Sequence, residues 1–93
     1  KYELPRITID GALSWFNSGV DTFRRARNSK DGVERDLNFE MARICLGVAV
    51  RYFQELKEAR RARMADDWYK STLDMLGNEY KEGWYLEPVT QQI

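Results

Sequence analysis

Carboxylates offer the clearest possible chemistry in this 93-residue sequence. Glu55 and Glu58 are three residues apart, so on one helix they would point to the same side, as two ligands of Mg²⁺ would. Asp67 and Asp74 are seven residues apart and would also share a helix face. Histidine is absent and Cys45 is the only cysteine, which excludes histidine-based catalysis, helical di-iron sites and cysteine-rich zinc sites. We therefore expect no cofactor, and an Mg²⁺ site on these carboxylates stays open as an alternative.

The E-x-x-E motif of Glu55 and Glu58, followed by an acidic pair on the next predicted helix, resembles the all-α nucleotide pyrophosphohydrolases of the MazG type. The resemblance implies an Mg²⁺-dependent nucleotide hydrolase in which Glu55 and Glu58 hold the metal. Lys70, however, lies three residues after Asp67 and four before Asp74, and this spacing is typical of a solvated ladder of ion pairs. We therefore favour a protein that is not an enzyme and keep the hydrolase as an alternative.

A basic cluster lies at the C-terminal end of the first predicted helix, and no acidic residue lies between positions 22 and 30. Its possible phosphate ligands are Arg24, Arg25, Arg27 and Lys30. Such a cluster could bind a nucleic acid, but cations also gather at the C-terminus of a helix because they complement its dipole. The formal net charge of the chain is zero, which gives no general attraction to nucleic acid. A nucleic-acid-associated protein is therefore an alternative that we do not favour.

The segment Met41–Phe53 must organise the fold, because Arg43 and Arg51 are its only residues that are not apolar or glycine. As a helix it would be apolar on nearly every side and would need to be covered. It is too short and too charged to cross a bilayer, which takes about 20 apolar residues, so we expect no membrane contact. The pattern predicts a main buried stripe made of Leu37, Met41, Ile44, Val48, Tyr52, Leu56 and Ala59.

The distribution of breaks and caps predicts one all-α domain over residues 1–93, a three-helix bundle around a long central helix. The predicted parts are an extended N-terminal arm over 1–10, helix 1 over about 11–28 behind the N-cap Asp10, helix 2 over about 32–63 behind Asp31, helix 3 over about 66–76, and an aromatic C-terminal tail over 77–93. A helix spanning 32–63 would be about 48 Å long. A compact domain of this size is about 32 Å across. This helix should therefore kink, protrude or pack against another chain.

The charge distribution also favours association. Residues 1–64 hold 13 Lys and Arg against 9 Asp and Glu, whereas residues 65–93 hold 2 against 6. We therefore favour a non-catalytic helical interaction or structural module that self-associates, or docks on a larger protein, through the central helix and the C-terminal aromatics. Arg43 and Arg51 would either extend to solvent over the apolar surface or pair with carboxylates of another subunit. The candidate interface residues are Arg43, Val48, Arg51, Tyr52, Trp68, Tyr69, Trp84 and Tyr85. The lone cysteine favours a reducing compartment, and hence the cytoplasm.

Overall fold

The computed structural model describes residues 7–77, and this part of the chain forms three α-helices and no strand. They are α1 (Ile9–Asn28), α2 (Gly32–Glu55) and α3 (Ala59–Leu76). Helix α2 packs along both of its neighbours, whereas α1 and α3 contact each other at only a few points. The predicted all-α bundle around a long central helix is therefore confirmed. Most of the predicted arm and of the tail lies outside the described residues.

Side-chain caps fix the starts of α1 and α2. The Oγ1 atom of Thr8 accepts a hydrogen bond from the backbone N–H of Gly11 at 3.0 Å, so α1 begins two residues before its predicted start. Asp10 lies in the first turn of α1 rather than at its cap, and there its negative charge still complements the helix dipole. Threonine and aspartate are both good N-caps, and the sequence did not decide between them. The Oδ1 atom of Asp31 accepts from Val33 N–H at 3.1 Å, as predicted for the start of α2.

Helix α2 ends at Glu55 rather than continuing to about residue 63. The chain turns at Lys57, whose φ of 63° lies in the left-handed region. The backbone N–H of Glu58 donates to the carbonyl of Phe53 at 2.8 Å, and α3 follows at once. A residue in this conformation after a helix is usually glycine. Because position 57 is a lysine, nothing in the sequence indicated that α2 ends here. With 24 residues, α2 is about 36 Å long and runs without interruption through Gly47, so the misfit between helix length and domain size is much smaller than a helix of about 48 Å would give.

The core lies on the side of α2 that faces α1 and α3. Its buried residues on α2 are Phe39, Ala42, Leu46, Ala49, Val50 and Phe53, each with no exposed surface. The Phe23 ring of α1 meets the rings of Phe39 and Trp68 edge to face, with centroids 5.3 Å apart in both pairs. A Cβ atom added at Gly19 would lie 2.6 Å from Cγ of Leu46. The absence of a side chain at Gly19 therefore lets α1 approach α2 closely.

The predicted main stripe of α2 is wrong as a buried face in its first half, whereas Tyr52 and Leu56 farther along the stripe are partly buried and pack against the core. Leu37, Met41 and Ile44 are 61%, 49% and 53% exposed, and the core uses the opposite side of the helix. The physical reason is that α2 is apolar on two opposite sides, so the 3.6-residue period fits either of them equally well. The choice of buried side depends on where α1 and α3 pack.

Candidate functional site

Four of the large hydrophobic residues that are exposed in the described part of the chain lie on one side of α2. We call this side the outer face of α2 and define it as Val33, Leu37, Met41, Ile44 and Val48. Spacings of three and four residues place these side chains along one side of the helix. The exposed fractions of Val33, Leu37, Met41 and Ile44 are 79%, 61%, 49% and 53%, and Val48 is half-buried. Contiguous exposed apolar surface of this kind marks interaction sites on soluble proteins.

The two arginines of the central segment have different surroundings. The Nε atom of Arg43 donates to Oε1 of Glu40 at 2.7 Å on the same helix. Arg51 is half-buried beside the outer face, and within residues 7–77 it has no ion-pair partner. The Tyr52 side chain is also half-buried. Arg43 therefore has a carboxylate partner on its own helix, whereas Arg51 has none within residues 7–77.

The two candidate aromatics of α3, Trp68 and Tyr69, both contact the core. Tyr69 has no exposed surface and its ring lies 3.4 Å from the position that a Cβ would take at Gly47. Tyr69 is therefore a core residue, and its prediction as an interface residue is wrong. Trp68 is half-buried and packs on the core. Trp84 and Tyr85 lie outside the described residues.

Two arginines of the basic cluster lie over aromatic rings of the same chain. The guanidinium carbon of Arg24 lies 5.9 Å from the centroid of the Trp68 ring, and that of Arg27 lies 6.0 Å from the Phe23 ring. Both distances allow cation–π attraction. Arg25 and Lys30 are exposed. The four cations thus occupy one end of α1, but two of them already have aromatic partners inside the domain.

The candidate Mg²⁺ ligands do not share a helix. Glu55 is the last residue of α2, and Glu58 is the N-cap residue of α3. Because the turn at Lys57 separates them, the argument from helical spacing no longer applies, and Glu58 pairs with Arg61. In the part of the chain that the structure describes, no group of three or more His, Cys, Asp or Glu side chains is placed to hold a metal ion.

The second acidic pair does not form the expected ladder. Lys70 Nζ lies 3.5 Å from Oδ2 of Asp66, four residues before it, whereas the sequence pointed to Asp67 and Asp74 as its partners. Both of these aspartates are exposed. Asp66 lines an open groove along α3 whose other charged residues are of both signs, such as Arg63 and Asp67. A groove of mixed charge offers no concentrated negative potential for a cation.

Cys45 lies at the edge of the outer face and is half-buried. Burial raises the pKa of its thiol above the ordinary value. The thiol therefore stays protonated near neutral pH and is a poor nucleophile. This agrees with a packing role for Cys45.

Comparison of the chain with known protein families, with curated proteins and with solved structures gave no match. Within residues 7–77, none of the helices has the length and apolar character needed to span a membrane.

Proposed function

We propose that this chain is a non-catalytic helical interaction module that binds another protein chain through the outer face of α2. The observation that carries the proposal is the exposure of Leu37, Met41 and Ile44, which are 61%, 49% and 53% accessible. These aliphatic side chains are consecutive members of one side of a helix whose opposite side already forms the core. The described residues leave this second apolar side open, and its burial against another chain would remove it from water.

The rigidity of α2 also supports this function. The helix packs along both α1 and α3, so its outer face is already ordered before a partner arrives. Binding by a preformed helix avoids the entropic cost of folding the helix at the interface. The other two candidate sites do not form a single ordered surface of this kind. The candidate carboxylates are separated by a turn, and two arginines of the basic cluster already contact aromatic rings.

The test is the absolute mass of the chain by light scattering on a sizing column, at low and at high salt. We expect a species heavier than the 11.0 kDa monomer in both salts, because burial of apolar surface is not screened by ions. Ile44→Asp should reduce the mass to that of a monomer, since it would bring an unpaired carboxylate into the interface. Val48→Asp should act in the same direction.

A matched control is Met64→Asp on α3. Met64 is 44% exposed but does not belong to the outer face of α2, so its replacement should leave the mass unchanged. Far-UV circular dichroism checks that each variant keeps its helices. A monomeric wild-type chain in which the methyl groups of Leu37 and Ile44 are protected from a soluble paramagnetic agent would contradict the proposal, because the chain itself would then cover the face.

A further inference from the structure

The outer face of α2 lies within a longer regular pattern that includes charges. Starting at residue 30, eight positions follow one another at alternating distances of four and three residues, the spacing with which a helix presents one side to a partner helix in a coiled coil. We call these positions the seam; in chain order they are Lys30, Glu34, Leu37, Met41, Ile44, Val48, Arg51 and Glu55. The buried residues of α2 fall at the other positions of the seven-residue repeat.

The seam is symmetric about a point between residues 42 and 43. If a second α2 lies antiparallel on the first with this point as the centre, Met41 faces the partner's Ile44, and Leu37 faces the partner's Val48. In the same register Glu34 faces the partner's Arg51. Lys30, just before the helix, comes to the level of the partner's Glu55. Every charge along the seam thus meets a charge of opposite sign.

A parallel arrangement in register would give the opposite result. Each seam residue would then face its own copy, so that two Glu34 carboxylates would meet at one level and two Arg51 guanidinium groups at another. Like charges placed opposite one another disfavour an interface. The charged seam residues therefore select the antiparallel orientation, in the way that polar residues set orientation in coiled coils.

We propose that the partner of this outer face is a second copy of the chain, and that the two α2 helices pack antiparallel in the register that places Met41 against the partner's Ile44. The inference rests on the proposed function and adds the identity, orientation and register of the partner. Such an interface uses the same surface on both chains, so it closes as a two-fold symmetric dimer. Antiparallel packing also brings the N-terminus of each α2 beside the C-terminus of the other, where their dipoles attract.

The charged seam residues are available for these contacts. Glu34, Lys30 and Glu55 are exposed and Arg51 is half-buried. Among the residues that the structure describes, neither Glu34 nor Arg51 takes part in an ion pair within the chain. The ion pair of Arg43 with Glu40 does not involve a seam position. Dimerisation would therefore supply Glu34 and Arg51 with partners without breaking an ion pair among residues 7–77.

The register can be tested by cross-linking in a Cys45→Ala background, which removes the only native thiol. The Glu34→Cys and Arg51→Cys variants are treated with a short bismaleimide, each alone and as an equal mixture. We expect a linked dimer in the mixture and little in either variant alone. In the antiparallel register the two copies of residue 34 are 17 residues apart along the seam, or about 26 Å. Arg60→Cys, on the exposed surface of α3, is the control that should link in no mixture.

The outcomes separate this inference from the function on which it rests. Efficient linking of Glu34→Cys to itself would show a parallel pair and overturn the register, while leaving the outer face as an interface. If the wild-type chain is a monomer and its outer face is accessible to solvent, a second copy of the chain is not the partner. A different protein chain could then still use the face. A monomer whose face is protected would overturn both proposals.

Charge exchange tests the orientation independently of cysteine chemistry. Arg51→Glu alone should raise the Kd of the dimer by about tenfold or more, because two glutamates then meet at both ends of the seam. Combining it with Glu34→Lys should restore the Kd to within about threefold of wild type. Wild-type and doubly exchanged chains, when mixed, should form two separate homodimers, since a mixed antiparallel pair has like charges at both ends. Preferential mixed dimers would overturn the antiparallel orientation.

Discussion

The two sides of α2 predict opposite behaviour for two residues that are only two positions apart. Ile44 is 53% exposed on the outer face, whereas Leu46 has no exposed surface and lies in the core. Truncating Ile44 to alanine should weaken dimerisation and have little effect on the folding of a single chain. Truncating Leu46 to alanine should do the reverse. The pair Ile44→Ala and Leu46→Ala therefore tests the division of the helix into an inner and an outer side.

The magnitudes follow from the exposed fractions. Full burial of an isoleucine side chain contributes roughly 1.5–3 kcal/mol. About half of that remains to be gained by Ile44 on dimerisation, or about 1 kcal/mol per copy and about 2 kcal/mol for two copies. At about 1.4 kcal/mol per factor of ten, Ile44→Ala should raise the Kd about 30-fold.

The cost to the folded single chain is smaller for Ile44 than for Leu46. The half of Ile44 that is already buried contributes about 1 kcal/mol, and the better helix propensity of alanine returns about 0.4 kcal/mol of it. Leu46→Ala removes a fully buried side chain and leaves a cavity, which typically costs about 2–5 kcal/mol, and we expect roughly 3 kcal/mol for Leu46. Leu46→Ala should therefore lower the free energy of unfolding about five times more than Ile44→Ala.

Sedimentation equilibrium measures the Kd of the dimer. Urea unfolding at protein concentrations well below this Kd measures the free energy of unfolding of the single chain. An Ile44→Ala variant with unchanged Kd would refute the outer face as the interface. Equal losses of unfolding free energy in the two variants would refute the assignment of inner and outer sides.

Further predictions concern packing, turns and the thiol. Gly19→Ala should lower the free energy of unfolding by about 1–2 kcal/mol in thermal melts, because its Cβ would lie 2.6 Å from Cγ of Leu46 and overpacking outweighs the gain in helix propensity. Asp31→Ala should cost about 1 kcal/mol through loss of the N-cap, with Asp31→Asn as the variant that keeps the stability. Lys57→Gly should raise stability by up to about 1 kcal/mol in urea titrations, because it relieves the left-handed conformation at φ 63°; a loss would contradict the turn. Since burial raises the pKa of Cys45, the folded state binds the thiol proton more tightly than the unfolded state does. Its contribution to stability is therefore full below the ordinary thiol pKa and falls as the pH rises through the folded value, and Cys45→Ala should flatten the alkaline decline in unfolding free energy.

Local signals in the sequence were sufficient for the helix content and for one boundary. The turn between α1 and α2 was predicted from Asn28 to Gly32, and the cap at Asp31 was correct, because these features depend on backbone groups within a few residues. The turn after α2 was missed, since Lys57 adopts a conformation in which glycine is the usual signal. The start of α1 was displaced because Thr8 and Asp10 are both good caps.

The amino-acid order alone shows that α2 is apolar on two opposite sides and that its charges are symmetric along one of them. Which of these sides forms the core follows from the packing of α1 and α3: Phe39 and Leu46 are buried, while Met41 and Ile44 stay open to solvent. Tyr69 is likewise a core residue because α3 packs against α2 at Gly47. The physical reason is that periodicity along one helix records which side chains share a side, whereas burial depends on the packing of distant segments that no local spacing encodes.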